Sequence, residues 1–214
     1  MENGERIDEI IYPILKDVWG YSDFRPMQRE IIHQIMLNRD LLAILPTGGG
    51  KSICFQVPAL AKRGICIVVS PLIALIKDQV QNLKKLNIKA LSVHSGMSYR
   101  EVDIALDNAI YGNYKFLYLS PERLNTQLFR ARVSRMDVSM IVVDEAHCIS
   151  QWGYDFRPDY LTISQIKSEV ARNRRDVDSE FIPHDVPIIA LTATATEKVA
   201  DDICDRLSFA SKNI

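Results

Sequence analysis

The sequence predicts an α/β fold of the doubly wound kind, a mainly parallel sheet with helices on both faces. Three observations predict it. Short apolar runs recur along the chain and are apolar at consecutive positions, which implies burial on both faces of a sheet. Amphipathic segments of helical period separate them, so strand and helix alternate. Two stretches, Pro46 to Ser52 and Asp144 to His147, each sit where a buried strand should end.

The expected strands are Leu41 to Leu45, Ile65 to Val69, Phe116 to Leu119, Met140 to Val143 and Ile188 to Leu191, with a weaker one over residues 89–93. Helical patterns cover residues 26–37, 51–61, 73–85, 99–110, 159–172 and 196–207. The first opens at Pro26 and places Ile31, Ile32, Ile35 and Met36 on one side. Right-handed crossovers bring the strand C-termini to one edge, where ligands bind in such folds. The polar stretch 167–187, with Arg172-Asn173-Arg174-Arg175, reads as a helix end and surface loop, with a phosphate-contacting loop as the alternative.

The chain has 214 residues, enough for one substantial core, with 47% hydrophobic and 25% charged residues. No apolar run approaches the roughly 20 residues needed to cross a bilayer, and the polar start shows no signal peptide, so no membrane partner and a cytoplasmic location are expected. A net charge of −1 supplies no global field for nucleic acid, although a local basic track remains compatible with it. Cys54, Cys66, Cys148 and Cys204 sit in or beside apolar stretches without metal-ligand spacing and read as core residues.

Two stretches carry the chemistry. Pro46-Thr47-Gly48-Gly49-Gly50-Lys51-Ser52 lies between a strand and a helix. Glycines let successive N–H groups face one anion, and the helix that follows adds its positive end. Lys51 suits the β- and γ-phosphates, and the Ser52 hydroxyl suits magnesium. Leu45 stands where the usual pattern has its first glycine. Asp144-Glu145-Ala146-His147 follows another strand. Asp144 suits a magnesium role and Glu145 a base that orients water. Together the two stretches describe a nucleoside triphosphatase.

With these residues the chain resembles superfamily-2 helicases, and within them the RecQ family of DNA helicases, from about Asp8 to Leu207. Such helicases often lack that first glycine. The resemblance implies a RecA-like P-loop NTPase fold, ATP and Mg2+ as cofactors, and one domain over 1–214. Within it, 1–38 would be a helical, adenine-reading entry and 39–209 the sheet core. In Gly20-Tyr21-Ser22-Asp23-Phe24-Arg25-Pro26-Met27-Gln28, Gln28 would meet the adenine edge, Tyr21 stack on the ring, and Arg25 lie against base or phosphate. Ser70-Pro71-Leu72 through Lys77 to Gln79, and Ser120-Pro121-Glu122-Arg123, resemble strand-tracking motifs. His94-Ser95-Gly96 ends a strand between them. Cys148-Ile149-Ser150-Gln151-Trp152-Gly153-Tyr154-Asp155-Phe156-Arg157-Pro158 resembles the family's aromatic-rich loop. There Trp152, Tyr154 and Phe156 can stack on single-stranded bases, with at least one ring packed inward, and Arg157 can pair with phosphate or a catalytic carboxylate. The family usually has histidine at the place of Tyr154. Next to this loop, His147 would take part in coupling. Thr192-Ala193-Thr194 resembles the motif that links ATP to unwinding.

The implied function is an ATP-dependent, 3′→5′ DNA helicase in repair or recombination, acting on single-stranded and partly duplex DNA. The resemblance covers the first of two motor domains. It implies that a second RecA-like domain of the same protein closes the site with an arginine, so the single domain is expected to hydrolyse ATP poorly. An RNA helicase, a nucleotide-dependent switch module and a small-molecule kinase are the alternatives.

Overall fold

The computed structural model describes residues 2–153, 155–174 and 186–209. Six strands form one sheet: β1 (Leu41–Ile44), β2 (Ile65–Val69), β3 (Ala90–Val93), β4 (Phe116–Leu119), β5 (Val138–Val143) and β6 (Ile188–Thr192). Their order is β1-β6-β5-β2-β4-β3, and every pairing is parallel. The weak run at 89–93 is therefore a strand, on one edge.

Among the described residues, eight helices surround the sheet: α1 (Glu2–Trp19), α2 (Gln28–Met36), α3 (Lys51–Ala61), α4 (Ile73–Lys85), α5 (Tyr99–Tyr111), α6 (Gln127–Val133), α7 (Ile163–Arg174) and α8 (Glu197–Arg206). Strand side chains alternate between two cores. Cys66, Val68, Met140, Val142 and Leu191 pack with Ile35 of α2, Phe55 of α3 and Ile76 of α4. Ile67, Val69, Ile141, Val143 and Ala190 pack with Leu106 of α5, Phe129 of α6, Ile166 of α7 and Ile203 of α8. Both faces are thus buried, and this is why the strands read as unbroken apolar runs. Ile7, Ile11 and Leu15 of α1 close a third cluster on Ile32 and Val57, behind α2 and α3.

Two helices, α1 and the short α6, lie outside the segments that the pattern marked. The helix expected to open at Pro26 begins instead at Gln28, because Met27 adopts φ +70° and ψ −20° and cannot continue a right-handed turn. The segment expected to be helical from 159 divides into a 3-10 turn, Pro158–Thr162, and α7. Residues 175–185 of the expected polar loop lie outside the described residues. All four cysteines are buried. Among the described residues, no helix is long and apolar enough to cross a membrane.

Candidate active site

The strand order positions the site. β1 leads into the glycine loop and β5 into Asp144, and β6 runs between them. Thr192, at the end of β6, pairs in register with Ile44, and its carbonyl accepts from the Leu45 N–H at 3.0 Å. On the other side of β5, the Val69 carbonyl of β2 accepts from the Asp144 N–H at 2.8 Å. The glycine loop, the acidic pair, Thr192 and Ser70 therefore share one edge.

Gly50 caps α3 at φ +76°, a conformation that L side chains rarely adopt. A Cβ there would also lie 2.3 Å from Nε2 of Gln28. Gln28 is 3% exposed, and its amide holds the loop. Nε2 donates to the Gly50 carbonyl at 3.1 Å and the Gly49 carbonyl at 3.4 Å, while Oε1 accepts from the Arg25 N–H at 2.9 Å. Arg25 Nη1 donates to the Gly48 carbonyl at 2.6 Å. The amide that the sequence assigns to a base edge is thus engaged with the phosphate loop. Tyr21 is 54% exposed, whereas Phe24 packs edge-on against Tyr12 of α1, with ring centroids 5.0 Å apart. Thr47 is exposed in the loop.

Lys51 Nζ lies 3.7 Å from Glu145 Oε1, which unites the glycine loop with the acidic turn. Glu145 sits at φ +51° and ψ +48°, in the left-handed region, which costs a non-glycine residue roughly 1–2 kcal/mol. Its Oε2 lies 3.3 Å from His147 Nδ1. His147 Nδ1 is also 3.1 Å from Thr192 Oγ1. Thr192 donates its own proton to the Thr194 carbonyl, so its oxygen accepts and Nδ1 carries the hydrogen. The exposed Thr194 enters through that carbonyl.

Asp144 accepts from Ser70 Oγ at 3.1 Å and from the Glu145 N–H at 3.1 Å. Burial, and then the neighbouring Glu145 charge, raise its pKa above the ordinary carboxylate value, and Ser70 and Lys51 oppose them. Ser52 Oγ accepts from Gln79 Nε2 at 3.3 Å. The Ser52 hydroxyl and the Asp144 carboxylate are hard oxygen donors, the class magnesium takes, and one or two protein oxygens suffice where phosphates complete the shell.

The nucleic-acid candidates divide by position. Ser70 is buried on Asp144, Pro71 is half-buried, and Lys77 is exposed on α4. Arg123 Nη2 donates to the His94 carbonyl at 2.9 Å, which ties the ends of β3 and β4 together. Gln151 is exposed, and Trp152 is 62% exposed with the Lys198 ammonium 3.4 Å from its ring centroid. Phe156 is half-buried, with the Arg206 guanidinium 5.7 Å from its centroid. Arg157 pairs with Asp155 at 2.9 Å and not with a catalytic carboxylate, and its Nη1 reaches the Pro71 carbonyl at 3.5 Å. Tyr154 lies outside the described residues.

Sequence reading missed the contacts of α8 with this loop. Besides the two ring contacts, Asp202 accepts from Ser150 Oγ at 2.7 Å. It also missed the polar side chains behind Ser52, where Gln56 and Tyr118 stand among apolar neighbours. Gln56 in an otherwise apolar helix was the available signal.

A family model described as DEAD/DEAH box helicase matches residues 25–203. The chain belongs to the DEAD/DEAH box helicase family. It is 44% identical over 202 residues to the ATP-dependent DNA helicase RecQ of Bacillus subtilis (strain 168), covering 94% of this chain and 32% of that protein. It is 40% identical over 201 residues to the enzyme of the same name from Pasteurella multocida (strain Pm70), covering 94% and 30%. The chain thus spans about a third of the length of these relatives. In structure it is similar to the helicase domain of Pyrococcus furiosus Hef, with a TM-score of 0.64 and 22% identity over 92% of this chain and 38% of that one. A hypothetical ATP-dependent RNA helicase from Sulfolobus tokodaii gives a TM-score of 0.65 and 18% identity over 98% and 56%. Both helicase neighbours share the RecA-like fold of this DEAD/DEAH box domain.

Proposed function

We propose that this chain is the ATP-hydrolysing motor domain of a DNA helicase that binds single-stranded and partly duplex DNA and unwinds the duplex in repair or recombination. The observation that carries it is the 3.7 Å approach of Lys51 to Glu145, which joins a phosphate-binding loop to a carboxylate suited to orient water. The names of the RecQ relatives favour DNA over RNA.

In this reading, the loop N–H groups and Lys51 bind the phosphates, and Tyr21, Arg25 and Gln28 sit on the nucleotide's base side. Phosphate oxygens take over the Lys51 ammonium, which frees Glu145 to accept a proton from the attacking water. His147, donating from Nδ1, holds Glu145 and reports its position to Thr192 and Thr194. Ser52 and Asp144 fit Mg2+, which when bound neutralises phosphate charge. Lys77 and Arg123 supply phosphate-contacting cations for the strand, Ser70 and Pro71 shape the turn beside them, and Gln151, Trp152, Tyr154, Phe156 and Arg157 form the base-contacting loop. A second RecA-like domain of the same protein is the partner that completes the site, and the cytoplasm or nucleoid is its place.

The test is Glu145→Gln in the intact protein that carries this domain. DNA-stimulated turnover falls about a hundredfold or more, as expected on losing a general base, while ATP binding is retained. Undiminished turnover overturns the assignment. Stimulation by RNA and not by single-stranded DNA moves the reading to an RNA helicase.

A further inference from the structure

We propose that Gln79 is a positioning residue for the metal-holding hydroxyl of Ser52, and that buried Gln56 and Tyr118 keep it oriented for that task. The inference rests on the nucleotide-site reading above and adds to it a residue from a different element.

The geometry runs through three elements. Gln79 Nε2, on α4, donates to Ser52 Oγ at 3.3 Å. Gln56 Nε2, on α3, donates to Gln79 Oε1 at 3.2 Å and reaches the hydroxyl of Tyr118, on β4, at 3.5 Å. Gln56 is 5% exposed and Tyr118 is 2% exposed, both within the core between α3, α4 and the sheet. Burying an amide and a phenol there is unfavourable unless each finds a partner.

Direction matters in this chain. An amide side chain has one donating and one accepting end. Because Gln56 donates to Oε1 of Gln79, the Gln79 nitrogen is the end that faces Ser52. The Ser52 oxygen therefore spends one lone pair on Gln79. Its second lone pair remains for a cation, and its own O–H remains for an acceptor. Gln79 thus fixes the hydroxyl in the state a metal ligand needs without occupying the ligand position.

The same stretch of chain touches the other oxygen donor. Ser70, which opens the β2–α4 connection, donates to Asp144 Oδ2 at 3.1 Å. The segment from Ser70 to Gln79 thus contacts both side chains that fit the metal, nine residues apart in sequence.

The test is titration of the 214-residue chain with a fluorescent ATP analogue, without metal and across a magnesium series. Gln79→Met keeps the side-chain length and removes both ends of the relay. Its metal-free nucleotide affinity is expected to match the parent, which also shows that the phosphate loop is folded. Its magnesium half-saturation concentration rises about three- to tenfold, the equivalent of one ordinary hydrogen bond. In a Ser52→Ala background the same substitution has no further effect, since the hydroxyl it orients is gone. An unshifted magnesium half-point, an effect that persists in Ser52→Ala, or an equal loss of metal-free affinity overturns the proposal while leaving the nucleotide site intact. Failure of the parent chain to bind nucleotide in either condition fails the underlying reading.

Discussion

Asp144 shows what the site costs the fold. Its carboxylate is held above the ordinary pKa by burial and by the Glu145 charge beside it. The folded protein therefore grips that proton more tightly than the unfolded chain does. By linkage, this group's contribution to stability falls as pH rises from the ordinary carboxylate range through the raised value, and is level above it. Asp144→Asn is expected to remove that slope and to raise the thermal midpoint at neutral pH, while metal-dependent tightening of nucleotide binding is lost. Thermal denaturation across pH checks the first part and nucleotide titration the second; a lowered midpoint at neutral pH would contradict the account. Glu145 at φ +51° is a second such residue, with a strained backbone that turns its carboxylate toward Lys51 and His147. Neither property is legible in Asp-Glu-Ala-His as letters, because both depend on what folds against them.

At the scale of elements, the strands were legible and the helix ends less so. Val68 and Val69 face opposite cores, so a run such as Ile65–Val69 has no polar side to confuse its reading. The start of α2 was misread because Pro26 fits a first helical turn, whereas Met27 takes a left-handed conformation that no composition rule assigns to methionine. The aromatic-rich loop is held by α8 through Asp202, Lys198 and Arg206, pairings across about fifty residues that periodicity does not encode. Trp152 is the exposed ring of the described part of that loop. Trp152→Ala is expected to weaken binding of single-stranded DNA by about 1–3 kcal/mol, the worth of one stacked base. Fluorescence anisotropy with a labelled oligonucleotide measures this, and an unchanged affinity would remove the ring from the binding surface.

At the scale of the molecule, parallel pairing throughout the sheet brings every strand C-terminus to one edge, and the strand order inserts β6 between the phosphate loop and the acidic turn. The motifs in the sequence forecast the shared edge, since each follows an apolar run. The hydroxyl of Thr192, at a strand end, is suited to reach the Asp-Glu-Ala-His segment across the sheet edge, and it meets His147 there; that Gln28 would brace the loop was not forecast. The central claim is that Lys51 and the acidic turn form one metal-dependent nucleotide site. Equilibrium titration of the chain with a fluorescent ATP analogue, with and without magnesium, tests it most directly. Saturable binding that magnesium tightens and that Lys51→Ala abolishes is the result expected; binding that is absent, indifferent to magnesium or undisturbed by Lys51→Ala would contradict it.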